Sequence, residues 1–173
     1  MFRQITFAAL AAALATPAAA QDYTLAPTFG VFSVQSGFLP DVNWVSLLAG
    51  GNIRGEYTAQ THGIRCAGYF ADAPDFRVFF TPGGEPLSFY VEARDDTVLL
   101  VNSPDGEWHC NDDFSGLNPA VTFDAPSEGQ YDIWVGTYSP SDGEYPPATL
   151  AITQSDPFAA TFERAFFGED DRV

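Results

Sequence analysis

Lysine is missing from this 173-residue chain, and seven arginines stand against 23 carboxylates, a formal charge of −16 at pH 7. A surface of that sign repels phosphate, so neither nucleic acid nor an anionic lipid surface is expected as a partner. Cysteine is nearly absent too, with Cys66 and Cys110 the whole supply, and the only histidines are His62 and His109. No G-x-S-x-G elbow, H-E-x-x-H zinc site, glycine-rich phosphate loop or C-x-x-C occurs, which removes the commonest nucleophilic, metallopeptidase, nucleotide and redox signatures. With 23 acids, a carboxylate pair spaced for glycoside hydrolysis arises by composition alone and carries no weight by itself.

Long apolar runs are also wanting, with one exception at the start. After Met1-Phe2-Arg3, residues Ile5 to Leu14 are apolar apart from Thr6, and Ala18-Ala19-Ala20 offers a small-residue cleavage site. Residues 1–20 therefore read as a secretory signal peptide cut between Ala20 and Gln21. The run is too short to span a bilayer and no second one follows, so no membrane insertion is expected after cleavage. No cysteine stands at the cut to carry a lipid. The mature chain loses Arg3 and no acid, becoming one unit more negative, in the periplasm or outside the cell. In such an oxidising compartment Cys66 and Cys110 are expected to pair. The bond closes a loop of roughly 45 residues, worth at most about 4 kcal/mol on the chain-entropy model. A Cys110–His109 nucleophile is disfavoured because neighbours on a strand point to opposite faces.

What remains is dense in strand signals. "LSFYVEAR" sets Leu87, Phe89, Val91 and Ala93 against Ser88, Tyr90, Glu92 and Arg94; "QYDIWVGTYS" sets Tyr131, Ile133 and Val135 against Asp132, Trp134 and Gly136. "FRVFFTP", "TVLLVNSP", "AVTFDAP" and "ATLAITQ" are β-branched and aromatic, and "NWVSLLAG" and "IRGEYTA" flank Gly50-Gly51-Asn52, which suits a hairpin. Turn clusters such as Pro82-Gly83-Gly84 and Ser141-Asp142-Gly143 punctuate them. About eight strands without intervening helices predict an all-β, antiparallel, jelly-roll-like sandwich over 41–154. Residues 21–40 read as an irregular lead-in or an edge strand. Residues 155–173 read as a short C-terminal helix and acidic tail: Asp156 caps, Pro157 begins, Gly168 stops, and Phe158, Phe162 and Phe166 form a stripe. That stripe docks either on the sandwich or on a partner protein, the latter making the chain an assembly subunit.

"SPDGEWHCNDDFSGLNP", residues 103–119, gathers a histidine, a cysteine and several carboxylates in one run. It reads as a structural crossing. A strand ends at Asn102, turns at Pro104-Asp105-Gly106, returns through Cys110 and enters an acidic loop closed by Asn118-Pro119. Asp95-Asp96 at another turn, and Asn111, Asp112, Asp113 and Asn118 here, are the oxygen donors a calcium ion would want. An EF-hand is excluded because its twelfth position is Thr122 and no helices flank it. The alternative is that these acids form Asx-turns on nearby amides. Tyr90, Trp134 and Tyr138 on outward positions form either a strip for a peptide or glycan ligand or a second core layer.

The stretch "ARDDTVLLVNSPDGEWHCNDDFSGLNPAVTFDAPSEGQYDIWVGTY" followed by "PPATLAIT" resembles the bacterial pre-peptidase C-terminal domain from about Leu87 to Thr153. The carriers are the Pro-Asp-Gly turn, the Asn-Asp-Asp loop, the Asn-Pro and the Gly-x-Tyr-x-Ile-x-Val strand. The resemblance implies an exported β-sandwich that accompanies secreted hydrolases without catalysing, some relatives holding calcium at strand-end loops, with Asp95, Asp96, Asp112 and Asp113 at the acidic positions. The expected function is an exported, non-catalytic binding or accessory module for an extracytoplasmic protein or glycan. The alternative is a secreted peptidase- or glycosidase-type hydrolase with an unfamiliar carboxylate site.

Overall fold

The computed structural model describes residues 21–58 and 65–156, and all regular elements among them are strands. The expected terminal helix, with Phe158, Phe162 and Phe166, lies outside the described residues, as do residues 1–20 and His62. Among the described residues eleven strands run in chain order: β1 Val31–Gln35, β2 Asn43–Leu48, β3 Ile53–Thr58, β4 Arg65–Phe70, β5 Phe76–Thr81 and β6 Leu87–Ala93. Then come β7 Thr97–Asn102, β8 Trp108–Asn111, β9 Ala120–Phe123, β10 Gly129–Thr137 and β11 Pro147–Thr153.

Two sheets form. One follows β2-β11-β6-β9; the other follows β1-β5-β10-β4-β3, with β7 also on β10 and β8 on β7. All pairings among the described strands are antiparallel except β1 with β5, which is parallel and places β1 at the sheet edge, a departure from the purely antiparallel expectation. Alternation explains the packing between the sheets. Leu87, Phe89 and Val91 of β6 meet Leu99 and Val101 of β7, and Tyr131, Ile133 and Val135 of β10, in one continuous core. Phe89, Phe123 and Tyr131 join it edge-on or tilted at centroid distances of 5.0–6.2 Å.

The other face of β7 and β10 is buried as well. Val98, Leu100 and Trp134 pack with Cys66 and Phe70 of the β3–β4 hairpin in a second core, beside Tyr57 and Trp108. The Cys66–Cys110 disulfide ties the hairpin to β8 across 44 residues of chain. Close approach here depends on glycine. A Cβ on Gly136 would lie 2.6 Å from the Phe70 ring and 2.8 Å from the Tyr69 carbonyl oxygen.

The Gly50-Gly51-Asn52 turn is a correction. It joins β2 in one sheet to β3 in the other, so it is a corner and not a hairpin. Gly50 adopts φ +108°, and its N–H donates to the Val135 carbonyl oxygen at 2.7 Å, pulling the chain across to the second sheet. A Cβ on Gly51 would overlap the Phe70 backbone.

Strand β10 is the centre of the larger sheet. Its first half pairs with β5 and its second half with β7 on the other side, reaching β4 only at Thr137. In the gap between β5 and β4 the buried Asp75 takes a strand's place: its carboxylate accepts the Val135 N–H at 2.7 Å, and its own N–H donates to the Ile133 oxygen at 2.8 Å. Arg77, held 2.6 Å from the buried Asp132 carboxylate, also donates to the Tyr23 and Leu25 carbonyl oxygens and so clamps the N-terminal segment onto β5.

Candidate functional site: an acidic end with a cleft

Three connections meet at one end of the sandwich: the β6–β7 turn with Asp95 and Asp96, the β8–β9 loop, and the β10–β11 loop. Backbone bonds lock them together. Tyr138 N–H donates to the Asp96 carbonyl oxygen at 3.0 Å, Thr97 N–H to that of Leu117 at 3.3 Å, and Val91 N–H to that of Pro119 at 3.0 Å. The two asparagines first considered as metal ligands serve this same frame. Asn118 Oδ1 accepts the Ala93 N–H at 3.0 Å and Asn111 Oδ1 accepts the Ala120 N–H at 3.1 Å.

The locked loops bring together acids that are distant in sequence. Burial, and then the neighbouring negative charges of Asp113 and Asp112, hold the Asp96 carboxyl above the ordinary carboxylate range. These acids therefore share one field. Yet among the described residues no three side chains of His, Cys, Asp or Glu stand close enough together to hold a metal ion. Beside Asp96 opens a cleft of about 530 Å³, within the size of small-ligand sites, lined by Asp95 and Asp96 of the β6–β7 turn and by Glu144, Tyr145 and Pro146 of the β10–β11 loop. Thr137, the last residue of β10, also lines it. It is buried, and its Oγ1 is without a hydrogen-bond partner among the described residues.

The histidine run resolves into turn chemistry. Ser103 donates its hydroxyl proton to Asp105 Oδ1 at 2.5 Å and lies 3.1 Å from His109 Nε2. The Glu107 carbonyl oxygen, 3.2 Å away, is a second acceptor for the same hydroxyl, so serine, carboxylate and histidine form one turn-closing cluster in which the role of Nε2 follows the imidazole tautomer. Ser103 is buried, and the His109 ring sits edge-on to Phe123 at 4.7 Å. The serine bond is also what holds the Asp105 carboxyl below its usual range. Asp105 Oδ1 accepts the Glu107 N–H at 3.2 Å, completing an Asx-turn between β7 and β8.

The aromatic strip does not assemble on the surface. Trp134 is fully buried in the second core, where its indole N–H donates to the Asp72 carbonyl oxygen at 3.3 Å, and Tyr90 is buried on the other sheet with Ala120 and Ala151. Tyr138 alone is exposed, at the acidic end. Sequence reasoning missed Thr137, Glu144 and Tyr145. "SDGEYPP" announced a turn, but nothing in its composition says that the turn folds over Asp95.

Comparison with known proteins returns little: no protein-family model matches the chain, and no curated protein matches it. Among solved structures, the chain is similar to the Aeromonas hydrophila protein PliG, described as a periplasmic lysozyme inhibitor of g-type lysozyme. The likeness is 16% identical with a TM-score of 0.36, over 72% of this chain and 96% of that one.

Proposed function

We propose that this chain is an exported, non-catalytic binding module whose working surface is the acidic end. The observation that carries the reading is the gathering of Asp95, Asp96, Asp112, Asp113 and Glu144 on three interlocked loops, with no arginine among the described residues paired to any of them. Rigid loops holding uncompensated charge suit recognition of a positively charged partner, because complementary charge speeds encounter and fixes orientation. The signal-like first twenty residues and the Cys66–Cys110 disulfide support export. The resemblance to pre-peptidase C-terminal domains, carried by the motifs between about Leu87 and Thr153, supports an accessory role beside a separate hydrolase. The test is to immobilise the mature, oxidised protein and pass an exported-protein fraction over it. Retention of a stoichiometric partner that elutes as salt rises supports the reading. Turnover of a protein or polysaccharide substrate by the purified chain contradicts it.

Calcium is a second proposal for the same end, supported by the mutual field of Asp96, Asp112 and Asp113. Backbone carbonyls and small loop shifts would have to complete the ligand set. A melting temperature raised by calcium, and no longer raised in an Asp112→Ala, Asp113→Ala variant, supports it. Coincident melts in calcium and in chelator overturn it.

A further inference from the structure

We infer that the cleft between the β6–β7 turn and the β10–β11 loop takes a guanidinium group, an arginine side chain presented by a basic extracytoplasmic protein. The inference rests on the binding-module reading and adds the chemistry of the partner. Its carboxylates come from two separate elements that line the same cleft, Asp95 and Asp96 from one and Glu144 from the other, a pairing of acids that suits a planar donor fork. Among the described residues no arginine of the chain itself is paired with them. Arg54 and Arg65 pair with Glu56, Arg77 pairs with Asp132, and no ion pair among the described residues reaches the three acids.

The walls discriminate between cations. Tyr145, 42% exposed, and Pro146 offer an apolar face on which a guanidinium and its aliphatic stem can stack. A lysine ammonium is compact and strongly hydrated, and gains less from such a wall. A bare divalent ion fits worse, because no three carboxylates converge among the described residues. A neutral sugar would leave the uncompensated charge as it is.

Thr137 adds an independent sign. It is 5% exposed, and its Oγ1 has no hydrogen-bond partner among the described residues, a condition that is costly when left unmet. A Cβ on Gly50 would lie 3.2 Å from both this oxygen and Tyr145 Cδ1, so the hydroxyl and the tyrosine ring border the same small space, and both residues line the cleft. That oxygen, on a residue that lines the cleft, is the assigned acceptor for one guanidinium N–H.

The experiment is an amide-shift NMR titration of the mature, oxidised protein with acetyl-Gly-Arg-Gly-amide, its lysine counterpart and its neutral citrulline counterpart. The expected shifts are confined to 95–97 and 137–147 and are largest for arginine. A triple variant, Asp95→Asn, Asp96→Asn, Glu144→Gln, loses about tenfold or more in arginine-peptide affinity, the scale of breaking a charge-assisted pair. A charge-matched variant at the opposite end, Glu85→Gln, Asp124→Asn, Glu128→Gln, stays within about twofold of wild type, as screened distant charges should. Equal affinity in the two variants, equal affinity for citrulline, or shifts centred elsewhere would overturn the inference. The two readings fail separately. An exported partner retained equally by the cleft variant sinks the arginine cleft and leaves the module standing. Arginine peptide seated in the cleft, with no exported macromolecule retained, sinks the module.

Discussion

Asp75 should make this protein lose stability as pH rises towards neutrality. Its carboxyl is pushed up to about 7, chiefly by burial, against the opposing pull of the Val135 N–H bond. The ordinary value is 3.8, so between roughly pH 4 and pH 7 the folded chain binds a proton that the unfolded chain has released. Stability then falls through that window and reaches its lower plateau above pH 7. A shift of about three units is worth about 4 kcal/mol as an upper bound, and relaxation around the ionised group brings the expectation to about 2–4 kcal/mol. Asp75→Asn keeps an oxygen for the Val135 N–H and cannot ionise. The assay is urea unfolding followed by tryptophan fluorescence at about pH 5 and about pH 8, wild type against variant, because repulsion among the many other acids is common to both. The variant should lose about 2–4 kcal/mol less than wild type between the two pH values, and be the more stable protein at the higher one. Parallel pH curves, or a variant equally destabilised at both, would refute the reasoning.

Replacing both cysteines by serine should lower unfolding stability by up to about 4 kcal/mol, read as a shift in the urea midpoint, with the second core around Trp134 the first to open. Arg77→Ala should cost about 3–5 kcal/mol, because it leaves the buried Asp132 carboxylate without its cation, with only the Gln130 side-chain N–H still donating to it, and frees the segment around Tyr23 and Leu25. Limited proteolysis before residue 30 would then accelerate, whereas unchanged cleavage there would contradict the clamp. Gly136→Ala should cost about 1–3 kcal/mol, because its methyl meets the Phe70 ring and the Tyr69 carbonyl, and a thermal melt within a degree or so of wild type would show that the hairpin yields freely.

How much the sequence could say depended on how local the cause was. The alternation of β6 and β10 is a property of a few consecutive residues, and it assigned Leu87, Phe89, Val91, Tyr131, Ile133 and Val135 to the core between the sheets. The same alternation left Trp134 on an outward face without deciding what covers it. Its cover is the β3–β4 hairpin, held by a disulfide to β8 and by glycines that admit Phe70, causes that only the assembled chain contains. The Gly50-Gly51 corner failed as a hairpin because the partner of Gly50 is Val135, far along the chain in the other sheet. The acids at 95–96 and 111–113 were legible as two clusters, and their meeting follows from the pairing of β6, β7, β8 and β9. The cleft was not legible, since Thr137, Glu144 and Tyr145 join Asp95 and Asp96 only when the β10–β11 loop folds back.

The most direct test of the account is amide hydrogen exchange on the mature, oxidised protein, alone and saturated with a partner recovered from the exported fraction. Protection that appears at 93–97, 111–119 and 137–146, with the remaining surface unchanged, is the predicted footprint. Protection centred instead on the β1 edge or on the outer face of the β2-β11-β6-β9 sheet would contradict it.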